Sequence, residues 1–128
     1  MSQSRTQLLS GCRVLVLEDE YFFADDLNRR LTEHGAEVVG PISELAEAYQ
    51  LIVQNGFDAA IMNVNLRGQK AFVLADELKR RDIPFMFATG FGANSIPSRF
   101  SHVKVRQKPF GAQEIVSDVA ELCSKGAR

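Results

Sequence analysis

Short apolar runs alternate with amphipathic segments along the chain. Their aliphatic and aromatic content is typical of buried strands, and they fall at residues 12–17, 36–40, 58–62, 84–88 and 102–106. Between them, apolar residues recur at intervals of three and four. This spacing predicts helices that end near residues 35, 56 and 81, and a last helix that begins at Gly111. The segment 91–102 contains Gly92 and Pro97, which predicts only one or two helical turns there.

This alternation predicts an α/β fold. Connections of a few residues between strands and helices favour a parallel sheet that is covered on both faces, with right-handed crossovers. The length of 128 residues suits one domain. We expect a polar N-terminal leader at residues 1–11 and the folded domain at residues 12–128.

Composition argues against several classes of partner. The formal net charge of -1 and the sequence pI near 6.1 give no electrostatic reason to expect a nucleic acid. No window approaches the roughly 20 apolar residues that span a bilayer, and the N-terminus lacks the pattern of a signal peptide. Cys12 and Cys123 lie near opposite ends of the chain, without metal-type spacing. We therefore expect a cytoplasmic protein with reduced, structural cysteines rather than a disulfide or a redox site.

Polar residues follow four of the predicted strands, and the carboxyl ends of parallel strands share one edge of a sheet. We expect one cleft there, formed by Glu18 and Asp19, Asn63 and Asn65, Thr89, and Lys108. Two carboxylates, an amide oxygen and a backbone carbonyl are hard ligands of the kind that Mg²⁺ uses. A hydroxyl and a lysine nearby are suited to the oxygens of a phosphoryl group.

The loop after the first strand argues against a nucleotide or flavin site. Such a site needs a glycine-rich or hydroxyl-rich loop that leads into a helix N-terminus. Here the loop reads EDEYF, which repels a phosphate unless a cation lies between them. A flavodoxin-like ligand-binding or redox protein is therefore the disfavoured alternative.

Four motifs, VLVLEDE, DAAIMNVNLRG, FATG and KPF, resemble in order and spacing the receiver domain of bacterial two-component response regulators. The resemblance covers the chain from Cys12 onward. The FATGF stretch also resembles single-domain receivers with a FATGUY motif, which are typically paired with HWE-type histidine kinases, although the motif's closing tyrosine falls at Gly92.

The resemblance implies a flavodoxin-like (βα)₅ doubly wound sheet of order 2-1-3-4-5. It also implies a single-domain signalling module rather than an enzyme, which acts in a phosphorelay by binding a histidine kinase or a phosphotransfer protein. A homodimer is compatible with it.

The resemblance further implies a role for each strand-end residue. Glu18 and Asp19 match the acidic pair that holds magnesium, and Asn65 matches the residue whose backbone carbonyl completes the metal site. Thr89 matches the switch hydroxyl that follows the phosphoryl group. Lys108 matches the lysine that pairs with that group, and its bond to the following proline is often cis in the family.

Asn63 matches the phosphoaccepting aspartate, and here the sequence departs from the family. Covalent phosphoryl transfer needs a carboxylate nucleophile, so we expect no phosphorylation at the usual place. The missing negative charge is also expected to weaken magnesium binding. Asp58 cannot substitute, because it lies about five residues and roughly 16 Å along the strand.

A second departure is Val105, which stands where many receivers carry an aromatic switch residue. Two origins fit Asn63. The chain is either a naturally phosphorylation-independent receiver or an ordinary, phosphorylatable receiver with an introduced Asp-to-Asn substitution at position 63.

Overall fold

A computed structural model describes residues 7–54, 56–90 and 96–126. Within these ranges strands and helices alternate as the hydrophobic pattern predicts. The elements, in chain order, are β1 (Arg13–Leu17), α1 (Tyr21–Glu33), β2 (Glu37–Ile42), α2 (Leu45–Gln54), β3 (Ala59–Met62), β4 (Asn65–Leu66), β5 (Gln69–Lys70), α3 (Phe72–Arg80), β6 (Phe85–Thr89), a 3₁₀ turn (Ser98–Phe100), β7 (Val105–Gln107) and α4 (Ala112–Gly126).

The main sheet has five parallel strands in the order β2-β1-β3-β6-β7. Strands β4 and β5 form a separate antiparallel hairpin, so β6 and β7 are the fourth and fifth strands of the main sheet. The predicted order 2-1-3-4-5 and the flavodoxin-like fold are therefore confirmed.

Alternate side chains of the central strands point to opposite faces, and each face packs on its own pair of helices. Strand residues such as Val14, Val16 and Ile61 lie in one buried cluster with Leu27, Leu31, Ile115 and Val119 of α1 and α4. Leu15, Leu17 and Met62 lie in the other, with Ala48, Ile52, Leu74 and Leu78 of α2 and α3. Strands β1 and β3 are thus covered on both sides, and their carboxyl ends lie side by side at one edge of the sheet.

Strand β2 is longer than predicted. The sequence indicated an end at Gly40, but the strand continues through Pro41 to Ile42. One extra residue of β2 is accommodated between the pairs Leu15–Val39 and Leu17–Ile42. Gly40 has a φ of +123°, and a Cβ atom there would lie 2.5 Å from the carbonyl oxygen of Val16. The glycine therefore permits the bulge rather than ending the strand.

The loop after β3 also differs from the prediction. The helical pattern indicated a helix from Gln69, whereas the structure places Gln69 in the β4–β5 hairpin and begins α3 at Phe72. The two turn residues, Arg67 and Gly68, have φ values of 50° and 82°. Positive φ at both central positions suits a two-residue hairpin, which takes up residues that the periodicity assigned to the helix.

The connection between β6 and β7 includes residues 91–95, which lie outside the described residues. Its described part contains the short 3₁₀ turn, as expected for this segment. Phe100 of this turn is buried, and its ring centroid lies 5.8 Å from that of Phe87 and 6.0 Å from that of Phe72. The last strand begins at Val105 rather than at the predicted residue 102, because the turn extends to Val103 through a backbone hydrogen bond to Phe100.

The prediction of two reduced cysteines is wrong. Cys12 and Cys123 form a disulfide, with a Cα–Cα distance of 5.8 Å across 111 residues of sequence. Cys12 is buried in the cluster beneath α1 and α4, and Cys123 of α4 packs against that cluster, which brings the start of β1 against the last helix. Leu9 is buried in the same cluster. The division between leader and domain at residue 12 remains a prediction.

The two outer strands of the main sheet are β2 and β7. Strand β7 has three residues, and its Arg106 donates hydrogen bonds of 2.6 and 3.2 Å to the buried carboxylate of Asp118 on α4. Lys104, which precedes the strand, lies 3.3 Å from the same carboxylate. The basic side chains at this edge are thus neutralised within the chain.

Candidate functional site

Four parallel strands of the main sheet end at the same edge, which brings together residues that are far apart in sequence. Glu18 and Asp19 follow β1, Asn63 follows β3, Thr89 ends β6 and Lys108 follows β7. Backbone hydrogen bonds fix the positions of these strand ends. The Asn63 N–H donates to the Leu17 carbonyl at 2.9 Å, and the Lys108 N–H donates to the Thr89 carbonyl at 2.8 Å.

Glu18 lies at the centre of the site, where 2% of its side chain is exposed. One carboxylate oxygen accepts from the Lys108 ammonium at 3.0 Å. The other accepts from the Asn63 amide at 3.1 Å and from the Glu20 backbone N–H at 3.0 Å. Burial raises the pKa of Glu18 above its ordinary value, although these hydrogen bonds and the charge of Lys108 oppose that effect. Both oxygens of the buried carboxylate are therefore satisfied by groups of the chain itself.

Asn63 uses both ends of its carboxamide. Its nitrogen donates to Glu18, and its oxygen accepts a hydrogen bond of 3.3 Å from the backbone N–H of Asn65. An aspartate at this position could accept the second hydrogen bond but could not donate the first. The hydrogen bonds around the Glu18 carboxylate therefore require an amide donor at position 63.

Asp19 lies beside the β4–β5 hairpin. Its carboxylate accepts a hydrogen bond of 2.7 Å from the backbone N–H of Arg67, at the turn of the hairpin. Asn65, which the sequence placed in the same site, is the first residue of β4. The hairpin therefore connects the loop after β3 to the acidic residues after β1.

Lys108 is enclosed on three sides. Its ammonium group lies 3.0 Å from Glu18, 2.6 Å from the Glu20 carboxylate and 4.0 Å from the centroid of the Phe23 ring. Only 12% of its side chain is exposed. The peptide bond from Lys108 to Pro109 is cis, as the resemblance implies.

Thr89 is buried at the end of β6, at the same edge of the sheet. Its backbone carbonyl holds the Lys108 N–H, so the two residues that the resemblance assigns to the phosphoryl group are adjacent. Val105 begins β7 and is half-buried against the α2–α3 side of the core.

The sequence did not single out three residues that contact this site. They are Glu20, which pairs with Lys108, Phe23, whose ring lies beneath the same ammonium, and Arg67, whose backbone N–H holds Asp19. The third acidic position of the EDE motif was a signal for Glu20. Nothing in the spacing indicates that the backbone N–H of Arg67 donates to Asp19.

The donor set provides one test of whether a divalent cation fits. Glu18, Asp19 and the oxygens of Asn63 and Asn65 are hard ligands, which suit Mg²⁺. Among the described residues, however, no group of three or more His, Cys, Asp or Glu side chains is arranged to hold a metal. Glu18 also already pairs with Lys108. The oxygen ligands are of the type that Mg²⁺ binds. They carry less negative charge than the ligands of a site with three carboxylates.

A cavity of about 530 Å³ lies next to the site, between α1 and α4. Its lining includes Glu20, Phe23, Arg30, Lys108 and Phe110.

None of the helices in the described ranges is long and apolar enough to cross a membrane.

The chain is similar to several solved structures over most of its length. SdrG from Sphingomonas melonis Fr1 is 36% identical, with a TM-score of 0.72 over 87% of this chain and 95% of that one. Its BeF₃-activated conformation matches at 39% identity with a TM-score of 0.73. The non-phosphorylated HemR receiver domain from Leptospira biflexa is 26% identical, with a TM-score of 0.77 over 88% of this chain and 94% of that one.

A more distant structure shows the same fold with a metal. The receiver domain of the sensor histidine kinase PA1611 from Pseudomonas aeruginosa, with magnesium in its active-site cleft, is 16% identical. It covers 90% of this chain and 99% of that one, with a TM-score of 0.77. No family profile matches the chain.

The curated relatives are longer proteins. Transcriptional regulatory proteins of Mycobacterium tuberculosis match at 28–29% identity over 88–92% of this chain. The chain spans about half the length of these relatives, 57% in one and 48% in the other.

Proposed function

The chain belongs to the receiver domains of two-component response regulators, and on this premise we propose that it acts as a receiver without forming an aspartyl phosphate at position 63. The nucleophile in such phosphorylation is a carboxylate oxygen. A carboxamide is a poor nucleophile and does not yield an acyl phosphate. The roles that the resemblance implies for the residues of the site are part of this proposal.

The hydrogen bond from the Asn63 amide to Glu18 is the observation that carries the proposal. It gives the buried carboxylate a second side-chain donor besides Lys108. This network is complete without an added phosphoryl group or cation. The arrangement supports a site that is stable in its unphosphorylated form.

A magnesium ion would be held by Glu18, Asp19, the Asn63 side-chain oxygen and the Asn65 backbone carbonyl. The ion would supply positive charge to neutralise the oxygens of a bound anion. We expect weaker binding than at a site with an aspartate at position 63, because affinity follows the charge of the ligands.

The partner in this proposal is a histidine kinase or a phosphotransfer protein of the cytoplasm. The chain would bind it as a decoy or as a constitutive binding module, since binding surfaces on the fold do not require the acyl phosphate. The net charge of -1 gives no support for a nucleic-acid partner.

Acetyl phosphate with MgCl₂ tests the absence of phosphorylation directly. Intact-mass spectrometry should show no covalent phosphoryl group on this protein and one such group on Asn63→Asp. Phosphate on the protein as it stands that disappears when Thr89 and Lys108 are replaced would contradict the proposal. An Asn63→Asp variant that stays unmodified would contradict the assignment of the site.

The remaining residues of the pocket favour a second candidate function, that of an ordinary phosphorylatable receiver. Glu18, Asp19, Thr89 and Lys108 all lie at the same edge of the sheet, as an ordinary phosphorylatable receiver requires. An introduced Asp-to-Asn substitution at position 63 would produce this arrangement too. The codon at position 63 in genomic DNA distinguishes the two candidates.

A further inference from the structure

We propose that Glu20 is a displaceable counterion of Lys108, so that an anion entering the pocket must replace the Glu20 carboxylate. The inference rests on the proposed function, because it takes the phosphoryl pocket between Asn63, Thr89 and Lys108 as given. It assigns a role to a residue that neither the sequence pattern nor the resemblance singled out.

Three groups of the chain itself surround the Lys108 ammonium. Its neighbours are the Glu18 carboxylate at 3.0 Å, the Glu20 carboxylate at 2.6 Å and the Phe23 ring at 4.0 Å. An ammonium group has three N–H donors. Two of them serve the carboxylates of Glu18 and Glu20, so an oxyanion gains more than one donor from Lys108 only when one of these carboxylates withdraws.

Glu18 and Phe23 are held in place by other groups. Glu18 is buried and also accepts hydrogen bonds from the Asn63 amide and the Glu20 backbone. Moving it would leave a buried carboxylate with fewer partners, which is costly. The Phe23 ring packs edge-on against Phe110, with 5.2 Å between their centroids.

The Glu20 side chain is held far less firmly. It is 64% exposed, and within the described part of the chain its carboxylate contacts Lys108 alone. Glu20 occupies the N-cap position of α1 but makes no side-chain capping hydrogen bond. Its carboxylate can therefore turn into water, where it is solvated, and give up only the contact with Lys108.

The contact between Glu20 and Lys108 also affects how strongly the pocket attracts an anion. Glu18 and Glu20 place two carboxylates on one ammonium, which opposes the approach of an anion. Displacing Glu20 moves one negative charge away as the anion arrives. Neutralising Glu20 should therefore strengthen anion binding without altering any residue that touches the anion.

Chemical labelling of Lys108 tests the contact in the protein as it stands. Acetylation by sulfo-NHS acetate, followed by peptide mass spectrometry, should be at least twofold faster at Lys108 in Glu20→Gln than in the parent protein. Glu47→Gln is the matched control, because Glu47 is exposed on α2 and makes no ion pair within the described residues. An unchanged rate at Lys108 in Glu20→Gln and in a second variant, Glu20→Ala, would overturn the inference.

Displacement is tested with beryllium trifluoride and MgCl₂ in an Asn63→Asp background, which supplies the carboxylate that this probe binds. Titration followed by ¹⁹F NMR should show at least threefold tighter binding in Asn63→Asp/Glu20→Gln than in Asn63→Asp, and no change in Asn63→Asp/Glu47→Gln. Equal or weaker binding would overturn the inference. If Asn63→Asp binds no beryllium trifluoride, the phosphoryl pocket of the proposed function fails and displacement fails with it. The labelling result still decides separately whether Glu20 holds Lys108.

Discussion

The side-chain amide of Asn63 donates a hydrogen bond of 3.1 Å to the carboxylate of Glu18. The donor and the acceptor follow adjacent strands, β3 and β1, and both are fixed by the backbone of the sheet. An amide at position 63 therefore replaces a repulsive contact between two carboxylates by an attractive one.

Replacing Asn63 by aspartate should destabilise the protein when no divalent cation is present. The change removes a donor to a buried carboxylate and adds a second negative charge, which costs about 1–3 kcal/mol. Millimolar MgCl₂ should restore part of this loss by binding the folded state. Urea unfolding in EDTA and in MgCl₂ measures both effects. Gln113→Glu, which adds the same charge on an exposed face of α4, should show neither. Equal stability of Asn63→Asp and the parent in EDTA would contradict this account of Asn63.

Replacing Lys108 by methionine should make stability strongly dependent on pH. The variant leaves the buried Glu18 carboxylate without its cation, a loss of about 3–5 kcal/mol at neutral pH. Burial already raises the pKa of Glu18 in the folded state, and losing Lys108 raises this pKa further. A raised folded-state pKa gives stability that is present below the unfolded-state pKa and is lost as the pH rises through the folded-state pKa. The deficit of Lys108→Met should therefore shrink as the pH is lowered.

Urea unfolding of Lys108→Met and the parent between about pH 4 and 8 measures this deficit. The control is Lys70→Met, which removes an exposed lysine of β5. A deficit that stays constant over this pH range would argue against a buried, ionised Glu18.

Breaking the Cys12–Cys123 disulfide should lower the free energy of unfolding. The bond closes most of the chain into one loop, and the chain-entropy account gives about 4.7 kcal/mol for a loop of roughly 100 residues. Urea unfolding with and without a reductant should show a loss of that order in the parent. The double variant Cys12→Ala/Cys123→Ala should be insensitive to the reductant. A parent protein with the same unfolding midpoint under both conditions would contradict a structural role for the bond.

Truncating Phe100 should be costly, because the ring fills the space between α3 and the sheet. Phe100 is 1% exposed and contacts the rings of Phe72, Phe85 and Phe87. We expect Phe100→Ala to lose about 3–5 kcal/mol, measured by chemical denaturation. Phe22→Ala is the control, since Phe22 is 85% exposed and should change stability by less than about 0.5 kcal/mol. Similar losses in both variants would show that the 3₁₀ turn does not anchor this connection.

The sequence predicts the strands because their apolar runs are buried on both faces. Since parallel strands end at one edge, the convergence of Glu18, Asn63, Thr89 and Lys108 also follows from the order of the motifs. The contacts within the site do not follow in this way. Nothing in the EDE motif indicates that Glu18 turns inward to Asn63 while Glu20 reaches Lys108 from the helix N-cap.

The remaining differences arise from tertiary contacts that local patterns do not contain. Gly40 looks like a strand end by composition, yet it permits a bulge because the Val16 carbonyl lies so close. Gln69 fits the helical period but pairs across a hairpin turn. The disulfide depends on how the last helix packs against β1, which a separation of 111 residues does not predict.

The composition of the two outer strands limits how copies of this protein can join. One carries Pro41, which has no backbone N–H to offer, and the other has only three residues. Self-assembly by extending the sheet from chain to chain is therefore disfavoured.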